Sequence, residues 1–398
     1  MNENGKHRTA VIVSACRTPI GKFLGALAPK TAPELGAIVV REAVARAGID
    51  PETIDEVVMG QVVQAGSGQA PARQAAHYGG IPDTVPAMTI NKVCGSGLKS
   101  VMLAAQSIRA GDQACVVAGG QESMSNTPFL VQGAREGMKF GDQKLVDAMI
   151  RDGLWCAFEG VHMGKHAELT AERSAIGREE QDRFSLDSHR KAVAAIEAGK
   201  FRDEIVPVGI EGRKGTTVVD TDECPRRDTT LEVLGKLKPA FSKDGTVTAG
   251  NAPGLNDGAS ALVVTSEAYA EEHGLDPLAR IVHYASAGTE PRLLFYAPVF
   301  AVRKLMERTG RKIDEYELLE ANEAFAVQAL ADGKELGWDW DRVNVHGGAV
   351  ALGHPIGASG ARVLTTLIHA LNNDGISTGL ATLCHGGGNE VAMEIEAL

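Results

Sequence analysis

Long apolar runs are missing from this chain: no stretch approaches the roughly 20 residues needed to cross a bilayer. Cysteine is scarce. Six cysteines (Cys16, Cys94, Cys115, Cys156, Cys224, Cys384) in 398 residues are too few for a disulfide framework. No C-x-x-C occurs and the histidines do not fall at zinc-ligand spacing, so no metal is expected. An excess of positive charge is also lacking. The formal net charge of −11 argues against nucleic acid or an anionic membrane as partner, though not against a local basic site for an anionic cofactor. The polar start, Met1 to Arg8, lacks a secretory apolar segment, and the end, Glu394 to Leu398, matches no targeting tail, so a soluble cytoplasmic protein is expected.

What is present is ordinary globular composition, 44% hydrophobic and 23% charged, long enough for two or three cores. Up to residue 120, short β-rich runs alternate with helical periods. Ala10–Cys16, Glu56–Gly60, Ala87–Val93 and Ala114–Ala118 read as strands, and Leu98, Val101, Met102, Ala105 and Ile108 share one helix face that stops at Gly111. This alternation predicts helices on a largely parallel sheet. From about 121 to 249 the chain turns polar, with one strong helix near Arg178–Gly199 and a turn-rich stretch from Gly209 to Thr229, and reads as an insertion. A strand at Ala261–Thr265 precedes a second β/α series: strands at Tyr316–Glu320 and Val343–Val345, a helix after Ala324, a Gly-rich loop, a helix through Val363–Leu371, and strands Gly379–Cys384 and Val391–Ile395. Both series run strand, Gly-rich loop with a reactive side chain, amphipathic helix, strand, which hints at internal duplication. The expected units are 1–120 with 250–275, the inserted 121–249, and 276–398.

Cys94 sits where a strand meets a helix N-terminus, where free amides and the helix dipole favour a thiolate. A lone cysteine is more often a small buried hydrophobe, but the adjoining Gly95-Ser96-Gly97 lets a carbonyl approach the backbone. His354, in the glycine-dense loop Gly347 to Gly360, has the chemistry of a base for a thiol, with a helix cap as its bland alternative. Cys384 runs into His385 and three glycines, costly in entropy unless backbone must approach something closely. Asn322-Glu323 opens a helix, with Asn322 equally suited to an N-cap.

Together, Asn91-Lys92-Val93-Cys94-Gly95-Ser96-Gly97, Asn322-Glu323-Ala324-Phe325-Ala326, Gly353-His354-Pro355-Ile356-Gly357 and Cys384-His385-Gly386-Gly387-Gly388 resemble the four signature loops of the thiolases. The resemblance spans essentially the whole chain, including Gly119 to Ser125 and Gly250 to Gly258. It implies two similar α/β halves (βαβαβαββ) in a five-layer α-β-α-β-α arrangement with an inserted loop domain. It implies that His354 deprotonates Cys94, that Cys94 carries the acyl group, and that Cys384 moves the α-proton of a second acetyl-CoA. Asn322 through a water, and the N–H groups of Cys94 and Gly386, are implied as oxyanion donors. The implied reaction is reversible condensation of two acetyl-CoA to acetoacetyl-CoA and CoA, with thiolysis of longer 3-ketoacyl-CoA as the alternative. CoA is then a substrate and no prosthetic group is implied. Leu154, His162, Met163, Arg226, Phe241, Ala249 and Phe325 match CoA-contacting positions, and Ile210 to Gly245 balances seven Lys/Arg against seven Asp/Glu. A homotetramer or homodimer is implied as well.

Several positions depart from the pattern. Val233 and Pro253 replace serines common in relatives. His385 stands where an aliphatic residue is usual and Glu390 where glycine is common, which suggests a shifted Cys384 pKa. The run Leu294 to Pro298 is bulkier than usual beside the acyl pocket. Ketoacyl and hydroxymethylglutaryl-CoA synthases lack a second cysteine before the terminal glycines, so Cys384 argues against them. A binding-only relative is expected to have lost Cys94, His354 or Cys384, and all three are present.

Overall fold

A computed structural model describes residues 8–398; the start, 1–7, lies outside the described residues. Its centre is a ten-stranded sheet: nine strands lie in one path assembled from two similar halves, and the short Gly21–Lys22 pairs off that path with Asn256–Ser266. In the first half, Ala10–Arg17, Asn256–Ser266, Cys115–Ser123, Glu56–Gly60 and Ala87–Ile90 lie side by side in that order. In the second the order is Ala279–Gly288, Asn389–Ala397, Thr378–His385 and Leu318–Ala321. The halves join where Val11 and Ile12 pair with Arg280 and Ala279.

Sequence patterning misjudged the sheet's direction. Parallel pairing is confined to Glu56–Gly60 with its two neighbours and to Leu318–Ala321 with Thr378–His385. Antiparallel pairing prevails elsewhere because Asn256–Ser266, returning from the insertion, wedges between Ala10–Arg17 and Cys115–Ser123. Strands buried on both faces lose the alternation that normally marks antiparallel pairing, so the run reads as parallel.

The expected strand at 343–345 is reduced to one bridge, Val343 to Leu319. Asn344 leaves the β region (φ 46°), and its side-chain amide takes over the pairing: Ala321 N donates to Oδ1 at 2.9 Å, and Nδ2 donates to Ala321 O at 2.9 Å. This residue stands where the first half has Ala87–Ile90, so the duplication is complete but for one strand.

Two helices, Ser96–Ala110 and Ser359–Asp374, fill the middle layer. Leu98, Val101, Met102 and Ile108 from one and Val363, Leu364, Leu367 and Leu371 from the other share a single apolar core between the half-sheets. Ala32–Ala47 and Pro71–Tyr78 cover the outer face of the first half; Ala297–Thr309 and Ala326–Leu336 cover the second. These are the five layers. The polar segment 121–249 contributes helices Met163–Ser174 and Arg178–Glu197. The stretch read only as turns contains a hairpin, Val208–Gly212 with Gly215–Val219.

Candidate active site

Both central helices begin just after a loop that carries a reactive side chain. Before the first, Gly95 N–H returns to Lys92 O at 3.2 Å and Ser96 N–H to Val93 O at 3.0 Å. Ser96 fastens the turn: its Oγ accepts from Lys92 N at 2.8 Å and donates to Val93 O at 2.6 Å. Val93 is forced to φ 48°, a strained conformation for a β-branched residue, and the turn thrusts Cys94 outward. Gly95 is required because a Cβ there would lie 2.6 Å from the His385 ring.

The second loop is braced from three sides. Asn256 Oδ1 accepts the His354 N–H at 2.8 Å, and Glu122 Oε2 accepts from Gly357 N at 2.9 Å. The same carboxyl takes the N–H groups of Val62 and Val63 at 3.0 and 3.2 Å. Glu323 accepts from Val350 N at 3.0 Å and from Ser188 Oγ at 2.8 Å, tying the loop to the inserted helix Arg178–Glu197.

These constraints fix the tautomer of His354. Ser359 Oγ donates to Pro355 O at 2.9 Å, so at the 2.6 Å contact it accepts a proton from His354 Nδ1. Nε2 is therefore an unprotonated acceptor, and no protein group among the described residues satisfies it. Burial depresses the ring pKa to about 3, so the imidazole is neutral.

Cys94, His354, Cys384 and Gly386 line one cavity of about 320 Å³. Its walls are chiefly apolar: Met124, Met149, Leu255, Leu294, Phe295 and Ile356 among others. Cys94 is half-buried, yet these walls desolvate its sulfur and push the pKa up to about 12. The N–H groups of Cys94 itself and Gly386 point to the sulfur and pull the other way, but less strongly. The helix N-terminus and amides that favour a thiolate are thus outweighed by desolvation at this sulfur. Cys384 is fully buried, and its pKa lies well above the ordinary value, first from burial and next from the neighbouring Cys94.

Asn322 is buried, follows Leu318–Ala321 and bonds through its N–H to Thr382 O at 3.0 Å. The next helix starts at Ala326 with Phe325 at its N-cap, so the N-cap reading of Asn322 is excluded. Neither its Oδ1 nor its Nδ2 has a partner among the described residues.

Leu154, His162, Met163, Phe241 and Phe325 also line the cavity. His162 stacks on Phe241 (centroids 4.8 Å, 21°), and Phe325 stands edge-on to both Phe241 and Phe295. Arg226 and Ala249 are exposed and outside the lining. Of the departing residues, Pro253 lines the cavity whereas Val233 is 51% exposed and does not. Met124, Met149 and Ile356 were not anticipated; apolar side chains in loops carry no local signal for a pocket.

Two family models match this chain: the thiolase N-terminal domain over residues 10–268 and the thiolase C-terminal domain over residues 275–397. The chain belongs to the thiolase family. The acetyl-CoA acetyltransferase of Pseudomonas aeruginosa is 57% identical over 386 residues, 97% of this chain and 98% of that one. That of Escherichia coli K12 is 55% identical over 392 residues, 98% of this chain and all of that one (100%). A crystal structure of the Bacillus anthracis acetyl-CoA acetyltransferase superposes with a TM-score of 0.97 at 46% identity, covering 99% of this thiolase and 100% of that chain.

Proposed function

We propose that this thiolase is an acetyl-CoA C-acetyltransferase, acting through two proton-carrying residues and one cysteine acyl-enzyme. The observation that carries the reading is the free Nε2 of His354 in a cavity shared with two cysteines. A thiol near 12 and an imidazole near 3 disfavour a standing thiolate–imidazolium pair. Proton transfer is therefore coupled to attack: His354 Nε2 takes the Cys94 proton as the sulfur bonds to the thioester carbon. The tetrahedral oxyanion collapses and the departing CoA sulfur takes the Cys384 proton, which leaves acetylated Cys94 beside a Cys384 thiolate and a protonated His354. The Cys384 thiolate then takes an α-proton from a second acetyl-CoA, the carbanion attacks acetyl-Cys94, and the Cys94 sulfur leaves with the proton returned by His354, giving acetoacetyl-CoA and the starting enzyme. The converging N–H groups of Cys94 and Gly386 support a role as oxyanion donors, each worth about 3 kcal/mol of barrier. The unpartnered amide of buried Asn322 supports the water-mediated role assigned to it.

The pantetheine arm runs along Leu154, His162, Met163, Phe241 and Phe325, with Arg226 and Ala249 assigned to the exposed nucleotide end. The segment 121–249 is the CoA-binding unit between halves 1–120 with 250–275 and 276–398. By resemblance the enzyme is a cytoplasmic homotetramer or homodimer. Leu294 and Phe295, the latter edge-on to Phe325 at 5.2 Å, wall the cavity and favour a short acyl group over the 3-ketoacyl-CoA thiolase alternative. Purified protein is expected to thiolyse acetoacetyl-CoA with CoA, to form an acetyl adduct on the Cys94 peptide, and to lose both in Cys94→Ala. Faster thiolysis of C8 or longer 3-ketoacyl-CoA overturns the short-chain assignment; no thiolysis at all leaves a binding protein.

A further inference from the structure

Glu390 is a residue for which the reaction above has no use. The strand register sets it directly opposite Cys384, so the two side chains share a face with Cβ atoms about 5 Å apart. Glu390 is 0% exposed and Cys384 1%. Neither carboxyl oxygen of Glu390 has a hydrogen-bond partner among the described residues. The groups around it are Lys92 from the nucleophile turn, Lys304 from Ala297–Thr309, Asp332 from Ala326–Leu336, and Cys384 and His385 on the paired strand. Lys304 is engaged with Ser286 O at 3.0 Å, while burial raises Asp332 well above the ordinary carboxylate range, so it offers Glu390 no compensating positive charge. The His385 ring is neutral, pushed down to about 3 by burial and then by Lys92. A carboxylate so enclosed has no hydrogen bond to replace its water, and burial outweighs the pull of Lys92 and Lys304, so the neutral acid is the resting form.

The thiolase reading requires Cys384 to become a thiolate. A neutral acid across the strand pair permits that; a carboxylate there opposes it, since two like charges so close cannot both ionise cheaply. We propose that Glu390 is a positioning residue for Cys384, sustaining its action as a base only while the Glu390 carboxyl is protonated. The inference rests on the function proposed above. In the step it governs, the substrate Cα–H bond breaks, its electron pair stays on carbon and an S–H bond forms on Cys384. The Glu390 proton does not move.

Exchange of acetyl-CoA methyl protons with deuterated water isolates this step; acetyl transfer to Cys94, read by mass spectrometry, isolates the other. Burial pushes Glu390 up to about 8, with Lys92 and then Lys304 drawing it back. Wild-type exchange is expected to rise with pH and flatten near 8, while Cys94 acetylation shows no such break. In Glu390→Gln the flattening disappears, and exchange at pH 9 exceeds wild type about tenfold, one pH unit beyond the break. Lys92→Met, which removes the cation favouring ionised Glu390, moves the break to higher pH and serves if the glutamine variant does not fold. A break that stays in place in either variant, or is absent from an active wild type, overturns the inference alone. A wild type with neither exchange nor thiolysis overturns the thiolase reading itself.

Discussion

His354 owes its chemistry to a single hydroxyl. Ser359 spends its proton on Pro355 O, which makes it an acceptor for Nδ1–H and leaves the Nε2 lone pair facing the cavity. Burial then keeps the ring neutral down to about pH 3. Acetylation of Cys94 is accordingly expected to show no acid limb near pH 6.5. Single-turnover acetylation measured from pH 7 down to 5 checks this, and a decline centred near 6.5 refutes the assignment of a pre-neutralised base. The candidate residues were legible in the sequence only together, through four loops that resemble the thiolase signatures, and the structure brings Cys94, His354 and Cys384 to one cavity. Their ionisation was not legible. A helix N-terminus is visible in a sequence, whereas the apolar walls that outweigh it, such as Met124, Leu255 and Ile356, come from three distant loops.

At the scale of elements, the site lies where corresponding strand ends of the two halves converge. Cys94 and His354 each precede a central helix, and Asn322 and Cys384 lie at the ends of neighbouring parallel strands. The halves meet at backbone distance. A Cβ on Gly120, in strand Cys115–Ser123, would stand 2.1 Å from Gly357 O. Gly120→Ala must therefore displace the His354 loop, break its 2.9 Å bond to Glu122, or both. The expected cost is about 1–3 kcal/mol of stability, with a fall in the rate of Cys94 acetylation. Denaturant unfolding and acetylation kinetics of this variant test the point; wild-type values in both show that the loop yields freely. The helices and most strands were legible from periodicity and glycine stops. What escaped was pairing: neither the antiparallel insertion of Asn256–Ser266 nor the side-chain substitute for a strand at Asn344 leaves a periodic trace.

The whole molecule carries opposing sets of buried titratable groups, and their balance fixes its pH of greatest stability. Glu122, Glu320 and Glu390 are each raised from 4.5 to about 8, primarily by burial. Between those values the folded state holds protons that the unfolded chain has released, so stability is lost as pH rises through about 8. His354 and His385 are lowered from 6.5 to about 3 and His189 to about 4, again primarily by burial. Below 6.5 the unfolded chain binds protons that these folded rings refuse, so stability is lost as pH falls toward 3. Between 4.5 and 6.5 the two sets offset each other. Below 4.5 the glutamates no longer compensate, and three histidines together give a slope of at most roughly 4 kcal/mol per pH unit. Above 6.5 the raised carboxyls act unopposed by the histidines, Asp257, Glu323 and Asp332 shifting in the same direction, and beyond 9 the buried thiols Cys16 and Cys115, raised to about 12, extend the decline. The stability maximum is therefore expected on the acid side of neutrality, between about pH 4.5 and 6.5. Urea midpoints across pH 4 to 9 locate it, and Glu122→Gln or Glu390→Gln should each flatten the decline between pH 6.5 and 8. A midpoint that climbs steadily from pH 6 to 8 would show that these carboxyls are ionised in the folded protein, and would take the protonated Glu390 with it.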